Sequence, residues 1–384
     1  MSPGGSRPEP LLFLIANFRP VVGGAETQAE GLARALAAAG QPVEILTAAV
    51  PGAPRREEYD GVVVRRALRI VRRRYLWGAS HALGTAAFLA ARGRRYRALV
   101  GFGLHAFHNP AALSWGALRR RPVLLRCECS GEFGDLATLA AMRAGGWVRA
   151  TIDRAPAVIA LTPGMSAELS AAGISAGRVV VVPNGVDLGA FSPPAAGVRR
   201  GGDLVFVGRL TDQKGVVDLL EGFVLLARSR ADTRLRLLGT GPLEARLRER
   251  AAAAGLADRV SFAGAVPQEA VRAVLAGAAA VLHPSRGEGL SCLLLEAMAT
   301  GCPIVASDLP ANRELIRDGE EGLLVPPGDP GALAVAAVRL LEDGELAARL
   351  GAAAHRRAAA EFSLDSVARR YLGIISRIEE RGAL

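Results

Sequence analysis

Glu288 and Glu296 stand with seven residues between them in the run Arg286-Gly287-Glu288-Gly289-Leu290-Ser291-Cys292-Leu293-Leu294-Leu295-Glu296, shortly after the apolar residues 278–282. An ionised carboxylate only accepts hydrogen bonds, and it does so with two oxygens. Two of them at separate points can therefore grip hydroxyls along one elongated ligand, such as the sugar and the ribose of a nucleotide sugar. The apolar run predicts a strand that ends at the glycines and a helix that follows. Flanking glycines admit a ligand to the main chain, and a helix start presents unpaired N–H groups. Glu288 is then expected at the helix mouth and Glu296 about two turns further in. The alternative is structural, because acidic residues near a helix start are favoured by its dipole.

A second stretch adds cations. Leu204-Val205-Phe206-Val207-Gly208-Arg209-Leu210-Thr211-Asp212-Gln213-Lys214-Gly215 again reads as strand, glycine turn and helix start. Lys214 is the only lysine in the chain. A compact ammonium suits phosphate oxygens, and Arg209 can add a planar fork to the same group. Cations placed in advance at a departing diphosphate lower the barrier to breaking an anomeric C–O bond. No Asp-x-Asp element follows a predicted strand where a bridging metal would be needed, so metal-independent chemistry is expected, with no cofactor.

Residues 183–327 resemble the retaining glycosyltransferases of family 4. The resemblance is carried by Val182-Pro183-Asn184-Gly185-Val186-Asp187, the Gly208-Arg209-Leu210 turn with Lys214-Gly215, and Leu238-Gly239-Thr240-Gly241-Pro242. Phe262-Ala263-Gly264, the Glu288/Glu296 element and Gly301-Cys302-Pro303-Ile304-Val305-Ala306 complete it. The N-terminal half matches more loosely, through Gly23-Gly24-Ala25-Glu26. The resemblance implies an α/β fold of two Rossmann-like domains facing across a cleft (GT-B), a nucleotide-diphosphate sugar as donor and a hydroxyl acceptor. It further implies that Arg209 and Lys214, beside Gly208, hold the diphosphate and that Glu296 accepts from the ribose. Glu288 would orient the transferred sugar together with the main chain of Gly289, Leu290 and Ser291, while Ala265 and Val266 meet the base. Arg209, Lys214 and Glu288 are the expected catalytic groups, and Gly23 and Gly24 would approach a phosphate or the acceptor.

The chain departs from the family pattern at two places. The family commonly has a histidine in a Thr-x-His-like element of the first domain, where this chain has Cys127-Glu128-Cys129. His105 and His108, after the preceding strand, and Glu128 are the acceptor-side candidates, with Glu132 and Asp135 as alternatives. Leu290 replaces a frequent aromatic residue at a position whose expected contacts are main-chain N–H groups. No nucleophile is evident on the far face of the sugar, which suits a front-face, retaining mechanism. A UDP-sugar is the favoured donor.

The elements needed to place these residues alternate along the chain, which predicts parallel sheets flanked by helices. Strands are expected at residues 11–16, 43–47, 62–65, 98–102, 123–126, 157–160 and 179–182. In the second half they are expected at 204–207, 234–238, 260–262, 280–283, 304–306 and 322–325. A first helix should span residues 25–39 and stop at Gly40. Asp329-Pro330 reads as the start of a helix. At 384 residues the chain exceeds one ordinary core. Residues 1–188 are expected to form an acceptor-side domain and 189–362 a nucleotide-sugar domain. Residues 363–384 would form a helix that returns to the first.

Half of the residues are apolar, yet no run approaches the roughly 18–20 that span a bilayer. A cytoplasmic protein is expected, peripheral to the inner membrane face if its basic stretch binds lipid. That stretch holds Arg65, Arg66, Arg69, Arg72, Arg73 and Arg74, interleaved with apolar residues, in a chain of net charge +10. An anionic membrane surface is one reading and a solvated arginine face the other. Nucleic acid is not expected as a partner, because no binding module accompanies the charge. The four cysteines predict reduced, mostly buried thiols. A dehydrogenase is disfavoured because Glu244 stands where the third glycine after Gly239-x-Gly241 belongs. A sugar-nucleotide epimerase or hydrolase, or a binding protein with weakened turnover, remain as alternatives.

Overall fold

The computed structural model describes residues 8–20, 23–71, 76–195 and 200–382. The chain divides into two compact units, one built from residues 1–185 and 364–384, the other from residues 186–363. The first unit begins β1 (Leu11–Leu14), α1 (Gly24–Ala38), β2 (Val43–Ala48), β3 (Arg56–Tyr59), β4 (Val62–Leu68) and α2 (Trp77–Arg92). It continues β5 (Ala98–Phe102), α3 (His108–Arg119), β6 (Val123–Arg126), α4 (Asp135–Ala141), α5 (Gly145–Ile152), β7 (Ala157–Ala160), α6 (Pro163–Ala171) and β8 (Val179–Val181).

Among the described residues these strands make one eight-stranded sheet in the order β3-β4-β2-β1-β5-β6-β7-β8. All pairings are parallel except β3 with β4. β1, β5, β6 and β7 are buried along their whole length, as strands covered on both faces must be. β3 is absent from the sequence-based expectation because Arg-Glu-Glu-Tyr carries no apolar pattern. Asp60-Gly61, both at positive φ, closes a two-residue hairpin between Tyr59 and Val62 and adds β3 at the sheet edge. Gly40, at φ +84°, ends α1 as expected.

The second unit runs β9 (Leu204–Val207), α7 (Val216–Leu226), β10 (Leu235–Leu238), α8 (Glu244–Ala253), β11 (Val260–Phe262), α9 (Gln268–Gly277) and β12 (Ala280–His283). Then follow α10 (Cys292–Ala299), β13 (Ile304–Ser307), α11 (Pro310–Arg313), β14 (Leu323–Val325), α12 (Pro330–Glu342) and α13 (Gly344–Glu361). Its sheet is parallel throughout, in the order β11-β10-β9-β12-β13-β14. Asp329 caps α12 by accepting from the Ala332 N–H at 2.9 Å, with Pro330 in the first turn. The last helix, α14 (Leu364–Glu380), belongs to the first unit, where Val367, Tyr371, Ile374 and Ile375 join the core of β1, β2 and α1.

Each sheet has a point at which strand order reverses, between β1 and β5 in the first unit and between β9 and β12 in the second. Loops leaving the carboxyl ends of two such strands diverge to opposite faces, and the crevice between them is where open α/β sheets bind ligands.

Candidate functional site

The loops after β9 and β12 carry the expected donor residues to the switch point of the second sheet. Main chain and side chain stitch the two loops together. Arg286 N–H donates to Gln213 O at 2.8 Å, and Gln213 Nε2 donates to Gly287 O at 3.2 Å. Gly215 stands at φ +63°, and a Cβ there would lie 1.9 Å from Pro284 O, so no other residue fits where the loops touch. Arg286 also grips Asp218, in the first turn of α7, through Nε at 3.0 Å and Nη2 at 2.8 Å. The crevice is thus preassembled from two segments about seventy residues apart in sequence.

Within it, Lys214 Nζ lies 2.5 Å from Glu288 Oε1. His283 Nε2, at the end of β12, lies 3.0 Å from the same oxygen. Glu288 is buried, which by itself would raise its pKa. The Lys214 charge and the His283 hydrogen bond outweigh burial and hold the carboxyl well below the usual range. Toward a carboxylate, His283 Nε2 must be the protonated nitrogen. His283 escaped the sequence reading, although a polar residue ending an otherwise apolar strand is a usable signal. Arg209 follows Gly208 on the same loop, is exposed, and donates from Nη2 to Gln213 Oε1 at 3.2 Å.

Glu288 sits in the loop and not in a helix. α10 begins at Cys292, with the Ser291 hydroxyl capping it by accepting from Leu294 N–H at 3.3 Å. The helix-dipole explanation for Glu288 therefore does not apply, and Glu296 lies one turn into α10 instead of two. Residues 287–291 form an irregular loop up to the Ser291 cap, where the helix begins. Gly289, Leu290 and Ser291 are buried beside Glu288, and Val266 is half-buried in the loop entering α9. Glu296 is buried too, and its Oε1 accepts from Gln268 Nε2 at 2.6 Å. Burial pushes its carboxyl up to about 7, with Gln268 opposing only in part. The two glutamates thus differ sharply: one is ionised by a cation, the other titrates near neutrality.

In the first unit, Gly23 and Gly24 open α1 after β1, and His105 follows β5, so both reach the switch point of that sheet. Asp135, almost wholly buried, organises the loops beside it. Its Oδ2 accepts from Leu104 N–H at 2.6 Å and Glu128 N–H at 3.2 Å, and its Oδ1 lies 3.4 Å from His105 Nδ1. That carboxylate holds the His105 pKa above its ordinary value against the effect of burial. Glu128 is pushed up to about 7 by burial, with Arg126 Nε, 3.1 Å away, opposing. Arg126 is in turn hydrogen-bonded to Asn184 and lies over the Phe102 ring. His108 does not belong to this group. It is fully buried, with Nδ1 3.4 Å from His81 Nε2, because α3 turns it inward against α2. Glu132 is exposed on a short helical turn.

The basic stretch is less free than its composition suggests. Arg65 pairs with buried Glu44 at 2.6 Å, and buried Arg66 donates to Arg19 O, Pro54 O and Glu57. These two hold β4 in place and are not available to a surface. Arg69 is exposed; Arg72, Arg73 and Arg74 lie outside the described residues. Of the four thiols, Cys127 and Cys302 are buried, whereas Cys129 and Cys292 are half-buried. Among the described residues no helix is long and apolar enough to cross a membrane.

Two largely parallel-sheet units with charged loops at a switch point fit the GT-B class of glycosyltransferase folds. Solved structures agree over nearly the whole chain. The sucrose-phosphate synthase of Thermosynechococcus elongatus superposes with a TM-score of 0.79 at 24% identity, covering 97% of this chain and 100% of that one. HepE of Anabaena, solved with UDP and glucose, gives 0.77 at 19%, covering 96% and 100%. The family described as Glycosyltransferase Family 4 matches residues 22–190, and Glycosyl transferases group 1 matches residues 201–343. The chain belongs to the family 4, group 1 glycosyltransferases. The phosphatidyl-myo-inositol mannosyltransferase of Mycobacterium leprae is 39% identical over 179 residues, 45% of this chain and 47% of that protein. The chain spans about half the length, or less, of curated relatives that it matches.

Proposed function

We propose that this protein is a retaining, metal-independent glycosyltransferase that moves a sugar from a nucleotide-diphosphate donor to a hydroxyl of a glycan, a lipid-linked acceptor or a small molecule. The observation that carries the reading is the Lys214–Glu288 pair, held between the loops after β9 and β12. It sets a cation suited to the leaving diphosphate beside a carboxylate suited to a sugar hydroxyl. As the anomeric bond breaks, negative charge grows on the diphosphate, where Lys214 and Arg209 stabilise it; this is the role a metal ion has elsewhere. Glu288, already ionised, can accept from the sugar without a change of protonation. Glu296 is assigned to the ribose and Val266 to the base. Gly23, Gly24, His105 and Glu128 are assigned to the acceptor side of the first unit. A UDP-sugar is favoured, in keeping with the UDP bound to HepE.

A thermal-shift series with UDP-, GDP- and ADP-sugars tests the donor assignment, since a ligand that binds only the folded state raises its melting temperature. One nucleotide class should stabilise the protein, with transfer to acceptor unchanged by EDTA and the anomeric configuration retained in NMR spectra of the product. Stabilisation by none of the three would overturn the donor site, and inversion would overturn the front-face mechanism.

Association with an anionic membrane surface is a second reading, favoured by one observation. Val71, Leu76 and Trp77 expose apolar side chains and follow exposed Arg69 within eight positions of the sequence. Stronger co-sedimentation with anionic than with neutral vesicles is expected, and equal binding would count against it.

A further inference from the structure

Gln268 is the first residue of α9 and follows the loop that contains Val266. Its amide Nε2 reaches Glu296 Oε1 at 2.6 Å and so links α9 to α10. Glu288 has Lys214 and His283 against it, but among the described residues no ion pair reaches Glu296. Glu296 lies instead on a helix whose other residues from Leu293 to Met298 are buried and carry no charge. A neutral amide in such a place does a different job from a cation. It fixes the rotation of the carboxyl and occupies one oxygen without neutralising the charge, so Oε2 keeps its full capacity as an acceptor.

We propose that Gln268 is a positioning residue for donor binding. Its amide sets the Glu296 carboxyl to accept from the ribose, so that the pair, and not Glu296 alone, tells a ribonucleotide from its deoxy counterpart. This inference rests on reading the second unit as the donor site. The physical ground is that a site built around a hydroxyl rejects an analogue lacking it only while the acceptor is held in place; an acceptor free to rotate finds other partners and loses its selectivity.

The test is calorimetric titration of the full chain with UDP, 2′-deoxy-UDP and 3′-deoxy-UDP, and with the same three forms of GDP. Gln268→Met, of similar length but without the amide, and Gln268→Ala are compared with the wild type. The wild type should prefer one ribonucleotide over at least one of its deoxy forms by about tenfold, and both variants should bind that ribonucleotide about tenfold more weakly. Their preference for the ribo form should fall to within about twofold of unity. Variants that keep the wild-type preference would overturn the inference, as would a loss of affinity shared equally by ribo and deoxy forms, which is what mere structural damage produces. In both cases the donor site itself would stand, because the wild type binds nucleotide. A wild-type protein that binds neither UDP nor GDP would overturn the donor site and this inference together.

Discussion

Lys214, half-buried, and buried Glu288 share one contact, so removing either leaves the other's charge without that partner in a site largely shielded from water. Lys214→Ala is therefore expected to lower kcat by about 10²–10³ and also to lower the melting temperature. Arg209 is exposed, and Arg209→Ala should give a loss of rate of the same order, about 10²–10³, at an unchanged melting temperature. Steady-state kinetics with paired melting curves check both, and a turnover within about threefold of wild type would refute either assignment. Glu296 behaves in the opposite way. Its folded-state pKa of about 7 lies above the ordinary carboxyl value. The folded protein thus holds a proton that the unfolded chain has released, and the group's contribution to stability declines as pH rises from the ordinary range to about 7. Glu296→Gln should consequently melt higher than wild type at pH 8 while binding nucleotide more weakly. Wild-type affinity should strengthen from pH 6 to pH 8, as the carboxylate that accepts from the ribose forms. Titration calorimetry at the two pH values checks this.

At the scale of elements, the site depends on two loops whose residues have no contact in sequence. Gly215 is the point where they touch, and its positive φ and the closeness of Pro284 O leave no room for a Cβ. Gly215→Ala should cost at least about 2 kcal/mol in denaturant unfolding and should reduce donor affinity, because separating the loops pulls Lys214 from Glu288. Unaltered affinity in a folded Gly215→Ala protein would show that the loops are not coupled. The apolar strand runs, the glycine stops and the Asp329-Pro330 cap were legible because each is a local pattern with a local cause. β3 was not, since a charged edge strand has no such pattern, although its Asp60-Gly61 turn was in plain view. Arg65 and Arg66 belong by composition to a basic surface, yet they are bound to Glu44 and to Arg19, Pro54 and Glu57. Composition counts charges, but only packing says which are already matched.

At the scale of the whole molecule, α14 closes the first unit from the far end of the chain. Val367, Tyr371, Ile374 and Ile375 are buried in the core that β1, β2 and α1 form. A chain ending at Ser363 should leave that core open, so its first unit should lose cooperative unfolding while the second keeps its transition in calorimetry. The same unit contains the His81–His108 pair. Burial depresses both imidazoles, His81 to about 4 and His108 well below its ordinary value. The unfolded chain takes up protons here before the folded one does. Stability is full above pH 6.5 and is lost as pH falls toward 4. His108→Leu should flatten that decline in melts recorded between pH 7 and pH 4.

The sequence by itself determined which residues could do chemistry at the ends of parallel strands, because strand, turn and helix signals are written in neighbouring residues. It also carried the family, through motifs that recur in order from residue 183 to residue 327. Only the tertiary structure decided the state of those residues. Glu288 is ionised by Lys214 and His283, Glu296 titrates near neutrality behind Gln268, and His105 rather than His108 stands by Asp135. The reason is physical: a carboxyl's charge and an imidazole's exposure depend on what lies within a few ångströms. Most of those neighbours, Lys214, Gln268 and Asp135 among them, come from segments tens of residues away, brought together only when the sheets assemble.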